Sequence, residues 1–171
     1  GGAFNILDQI HHSFDKLKTT VTPGVGIDPT LIPAVDIYWE KGFNPAVYLG
    51  ESFGLSFFSR QSTKLFILGG IDGATDFTDT DHFDNSIIVH EYFHFLENVI
   101  SEVESPGGPH NGNEILDPRL AWSEGAAQFY QSFVTGIPSV LDTRGNTDGS
   151  TGFFLKLSIE NETTDIPITI G

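Results

Sequence analysis

The chain has 171 residues, no cysteine and a formal net charge of −15. Without Cys it can form no disulfide, no thiolate metal site and no cysteine nucleophile. The charge opposes nucleic acid, whose phosphates it would repel, and suits a soluble extracellular protein or one that prefers cationic substrates. The length fits one domain with one core, spanning residues 1–171. No apolar run approaches the about 20 residues that cross a membrane. The Gly1-Gly2 start, with no initiator Met or signal sequence, reads as a processed chain or a piece of a longer one.

Residues 4–19 place Leu7, Ile10, Phe14 and Leu17 on one helical face. His11 and His12 lie there too, but adjacent helical residues diverge by about 100° and make poor joint ligands. Residues 22–33 are rich in Pro and Gly and read as a loop. Alternation over 35–39 predicts a strand, and further strands are expected over 46–49, 53–58 and 64–68. Asp72, Asp76, Asp79, Asp81 and Asp84 follow in a polar loop. Their oxygens could serve Ca²⁺, but the EF-hand spacing is absent and a solvated acidic loop is the plainer reading.

A helix is expected next, with Asp84 or Ser86 as N-cap and Pro106-Gly107-Gly108-Pro109 ending it. It contains His90-Glu91-Tyr92-Phe93-His94, an HExxH motif. Residues four apart share a helix face, so His90 and His94 can hold one Zn²⁺ at about 2.0–2.1 Å. Glu91 starts beside the first ligand and can reach a zinc-bound water as general base. The blander reading is an amphipathic helix with two surface or core histidines.

A catalytic zinc site needs a third protein ligand. The metzincin continuation is excluded, because Glu97 stands where it needs Gly and Ile100 where it needs His. Residues 121–130 predict a second helix carrying Glu124, with small residues at 125, 126 and 127 that would let it approach the first. Glu97 shares the histidine face, yet lies about 10 Å along the axis from His90 on a straight helix. It reads as a partner in the surrounding shell, or as the partner of Arg119. His110, Glu114 and Asp117 in the connecting loop remain alternatives. His110 is also the best placed donor for a developing oxyanion, with Tyr130 and Tyr92 behind it. After Tyr130 the chain is rich in Gly, Thr and Asp up to Gly152, and 153–159 is β-like. Residues 135–150 could border a cleft, where Arg144 could meet a substrate carboxylate.

His90-Glu91-Tyr92-Phe93-His94 followed by Glu124-Gly125-Ala126-Ala127 resembles the gluzincin metallopeptidases, the thermolysin-like and aminopeptidase-like group. The resemblance covers about residues 85–132. It implies His90, His94 and Glu124 as zinc ligands and Glu91 as base. It also implies a substrate-binding edge strand beside the motif helix, for which Lys64-Leu65-Phe66-Ile67-Leu68-Gly69-Gly70 is the candidate. In thermolysin-like relatives an Asp one turn after the ligand Glu orients a ligand His; here Gln128 stands at that place. Ser105-Pro106-Gly107-Gly108 and Asp117-Pro118-Arg119-Leu120-Ala121-Trp122-Ser123-Glu124 further resemble an uncharacterised group of bacterial secreted proteins with zinc-peptidase domains.

The expectation is therefore an α+β, zincin-like domain. A small, mostly antiparallel sheet packs on the HExxH helix and a second ligand-bearing helix. The resemblance implies a zinc-dependent peptide hydrolase acting on peptide or protein, extracellular or at a bacterial cell surface or periplasm. The alternatives are an inactive zincin-like binding module with structural zinc, and a zinc amidase or esterase with a non-protein substrate.

Overall fold

The computed structural model describes residues 1–21, 24, 26–108, 110, 114–145 and 154–159. It is an α+β fold. Among the described residues its main helices are α1 (Gly2–Lys16), α2 (Asn85–Ile100) and α3 (Pro118–Thr135). Strands β1 (Asp36–Tyr38), β2 (Phe57–Ser59) and β3 (Lys64–Phe66) form one sheet, and β4 (Ser139–Thr143) and β5 (Phe154–Ser158) a second.

Helix α2 sits at the centre because its sequence is apolar on most sides. Ser86, Ile88, Val89, Tyr92, Phe95 and Leu96 are all buried on it. They meet Ile6 and Leu17 from the first helical segment, Leu65 and Ile67 from the sheet side, and Tyr130 and Val134 from α3. Phe95 stacks on Tyr92 at 5.6 Å and meets the Phe58 ring edge-on at 6.0 Å. The exception to this apolar surface is the face of His90, Glu91 and His94, which turns toward α3 and β2.

The three-stranded sheet is mixed rather than mostly antiparallel. Its order is β1-β3-β2, with β1 parallel and β2 antiparallel to β3. β3 is thus the central strand, and both of its edges are paired. The 64–70 segment cannot take a substrate strand, which corrects the expectation above; among the described residues the outer strands of this sheet are β1 and β2. Past β3 the chain runs through Gly69 and Gly70, where a Cβ would collide with the carbonyl groups of Glu40 and Ala74. Only glycine fits this close backbone crossing.

Residues 46–49 are not a strand. Asn44 accepts a hydrogen bond from the Ala46 N–H at 3.0 Å, and Pro45 opens a 3₁₀ helix, Pro45–Leu49. An Asn cap with Pro at the first position fits a helix start, so local chemistry outweighs apolar alternation. Helix α1 continues into a π-helical turn, Leu17–Val21. Helix α2 ends at Ile100, before the Pro-Gly segment expected to stop it. Residues 109, 111–113, 146–153 and 160–171 lie outside the described residues, as do Thr22, Pro23 and Val25. So Pro109 and parts of the expected 22–33 loop, 135–150 cleft border and 153–159 strand fall there. Among the described residues, no helix is long and apolar enough to cross a membrane.

Phe95 is fully buried between α2's own turn and β2. Replacing it with Ala removes that ring and leaves a cavity, which costs about 3–5 kcal/mol. A urea titration should show the midpoint falling with an unchanged slope.

Candidate functional site

Helix α3 brings Glu124 to α2 by burying Leu120, Ser123, Ala127 and Gln131, a stripe at spacings of three and four. Of the small residues expected to allow this approach, Ala127 is buried against α2 while Gly125 faces open solvent. Asp117 caps α3 by accepting from the Arg119 N–H at 2.9 Å. The Arg119 guanidinium also pairs with Asp117, at 2.8 Å, and not with Glu97. The cap geometry holds the two together, two residues apart, on the α3 start.

His90 and His94 rings meet at 4.9 Å and 80°. Their Nε2 atoms are 3.2 Å apart. Glu124 Oε2 lies 3.1 Å from His90 Nε2, and Glu124 Oε1 lies 3.4 Å from His94 Nε2. A tetrahedral zinc with bonds of about 2.0–2.1 Å spaces its ligand atoms about 3.3–3.4 Å apart. These three residues therefore fit a zinc ion with no rearrangement beyond a few tenths of an ångström. No ligand atom from Glu97 or Asp117 belongs to this group of three.

The remaining contacts orient these side chains. Ser123 Oγ lies 3.3 Å from His94 Nδ1 and donates to Glu97 Oε2 at 2.6 Å. With a cation between the two histidines, Nδ1–H would give to the serine and Nε2 would be free to face the metal; without one, Nε2 carries a proton toward Glu124. Glu97 is also 3.8 Å from His94 Nδ1. Gln128 does not share this work, since its Oε1 is buried and accepts no hydrogen bond. One turn beyond Glu124 it faces a cavity instead. His110 Nε2 lies 3.3 Å from Glu124 Oε2, on the solvent side. Tyr130 is buried and bonded to Ser13, and Tyr92 is packed in the core, so both point away from the site.

Glu91 is half-buried, and its Oε2 accepts from the Phe58 N–H of β2 at 2.9 Å. Burial pushes its pKa up, while the His90 and His94 rings pull it back. Burial lowers His94, but hydrogen bonds to Glu124 and Glu97 outweigh that and carry it up to about 10. Burial raises Glu124, yet the bonds from His90 and His94 hold it well below the usual carboxylate range. The two opposed shifts share one cause, the pairing of the histidine rings with the Glu124 carboxylate.

A second group of acids lies nearby. Asp79, Asp81 and Asp142 place one oxygen each within 4.8 Å of one another. Asp79 and Asp81 come from the polar loop considered for Ca²⁺, whereas Asp72 and Asp76 are not in the group. Asp84 stands at the N-cap position of α2 without capping it. Its carboxylate instead accepts from the Thr143 N–H and hydroxyl, at 2.8 and 2.7 Å. Asp142 carried no signal in the sequence, because β4 reads there as part of a polar, irregular stretch. Ser123 did leave one: it is a small hydroxyl residue immediately before Glu124.

No family model matches the chain. A stretch of 62 residues is 39% identical to an uncharacterized protein of Archaeoglobus fulgidus, covering 34% of this chain and 18% of that protein. No solved structure matches.

Two outcomes follow from these contacts. Ser123→Ala removes the relay behind His94 and should weaken zinc binding about 10–100-fold in chelator competition, with the fold retained. The acid cluster gives a pH effect. Burial and Asp142 raise the Asp79 pKa to about 7. The folded state thus keeps a proton that the unfolded chain loses near pH 4, so ionising Asp79 costs stability as pH rises through about 7. Asp142→Asn relieves that repulsion. In chelator-treated protein it should raise Tm by about 2–4 °C at pH 8, and by less at pH 5.

Proposed function

We propose that this chain is a zinc-dependent peptide-bond hydrolase of gluzincin type, with a zincin-like fold. The observation that carries the reading is the convergence of His90 Nε2, His94 Nε2 and a Glu124 oxygen at 3.1–3.4 Å, with Glu91 beside them. The resemblance in the motif pair supports it, and the α+β frame is compatible with it. A purely structural metal site needs ligands but no base, and Glu91 would then be a half-buried carboxylate kept at a cost.

Zinc bound there supplies a Lewis acid and lowers the pKa of water. The chain's own groups do the rest. Glu91, raised by its burial, takes a proton from the attacking water and returns it to the leaving amine. The Phe58 N–H holds one oxygen of that carboxylate and fixes its orientation. The Ser123–Glu97 pair keeps His94 in one tautomer. His110, at the rim beside Glu124, is placed to donate to a developing oxyanion. We place the site of action outside the cytoplasm, on the resemblance to secreted proteins and on the acidic charge.

Glu91→Gln keeps shape and removes the base. We expect it to retain about one zinc per chain and to lose about 10²–10⁴-fold in kcat/KM on any peptide that the native protein cleaves. Unchanged hydrolysis by the pure variant would defeat the assignment. A zinc-loaded native protein that cleaves cell-wall or small amides but no peptide would favour the amidase reading. One that cleaves nothing would leave a binding module whose zinc joins two helices.

A further inference from the structure

One cavity, of about 170 Å³, begins at His90 and Glu91 and ends at Asp79, Asp81 and Asp142. A cavity of about 150 Å³ admits a benzene-sized group, so this one has room for one long side chain. Leu55, Ile87 and Val140 give the same cavity its apolar lining. The far end consists of acceptors. Asp81 is only 5% exposed, and the Ser56 hydroxyl beside it is already donated to its carboxylate. Gln128, on a different element, lines the same cavity with an oxygen that is sealed from solvent and accepts nothing. Among the described residues, no Lys or Arg lines the space.

Such an end is expensive for the fold, because one buried and two half-buried carboxylates crowd within 4.8 Å and repel one another. Its complement is positive, carries several N–H donors and sits on an apolar stem. Lysine and arginine side chains have that construction. A calcium ion would instead ask for six to eight oxygens, and this space offers apolar walls in place of most of them.

We propose that this cavity is the specificity pocket of the site, taking a lysine or arginine side chain next to the scissile bond against Asp79, Asp81 and Asp142. The proposal rests on the peptidase reading above. It names the substrate class: peptides with a basic residue flanking the cleaved bond. The net charge of −15 acts in the same direction, by drawing cationic chains to the surface.

The test is a set of quenched-fluorescent peptides given to the zinc-loaded full chain. At each position flanking the bond, Lys is compared with norleucine and Arg with citrulline. We expect kcat/KM at least about tenfold higher for the charged member of one pair. In Asp142→Asn that ratio should fall at least about fivefold, through a raised KM for the basic peptide. The variant's Tm, expected not to fall, separates this from unfolding. Equal cleavage of charged and neutral peptides overturns the proposal and leaves the hydrolase standing. A calcium-dependent rise in Tm that disappears in Asp142→Asn also overturns it, by giving the acids to a metal. Cleavage of no peptide overturns the proposal and the peptidase reading together.

Discussion

Three lone pairs aimed at one point are the constraint on which the rest of this structure turns. The Nε2 atoms of His90 and His94 and the carboxylate of Glu124 meet within 3.4 Å of one another. Without a shared cation, such groups repel or must borrow protons, so their meeting needs a rigid frame. Helix α2 supplies it by being the core: Ile88, Val89, Phe95 and Leu96 bury three sides and fix its rotation. The fourth side is then free to carry polar chemistry. Helix α3 is held in register by Ser123 and Ala127, which are small enough to let Glu124 reach across.

The sheet serves the same point through its edge. β2 offers the Phe58 N–H to Glu91, so the base is tied to the sheet as well as to its helix. Nearby, β4 is tied to the loop before α2 by the bonds from Thr143 to Asp84 and by the Asp79–Arg144 bridge. That tie sets Asp142 beside Asp79 and Asp81. His90 and Glu91, at one side of the candidate metal site, and the crowded acids Asp79, Asp81 and Asp142 therefore line one cavity.

How much of this was legible depended on distance along the chain. The His90-Glu91-His94 geometry is local, since helical spacing alone puts the rings on one face. Glu124 needed a pattern match, and the Asn44-Pro45 start of the 3₁₀ helix was a local signal outweighed by apolar alternation. The sheet order was not readable. Whether Lys64–Phe66 is an edge or a centre depends on β1 pairing from 28 positions away. Asp142 was hidden for the same reason, because its partners Asp79 and Asp81 lie far back in sequence. Gln128 occupied the position of a ligand-orienting group, but the cavity beside it, which turns its amide to another use, exists only in the folded chain.

The most direct test of this account is zinc stoichiometry by mass spectrometry, on native protein beside Glu124→Ala, both purified without chelator. The account predicts about one zinc per native chain and loss or strong weakening in the variant. Absence of zinc from the native protein after zinc is added back, or equal zinc in both proteins, would contradict it.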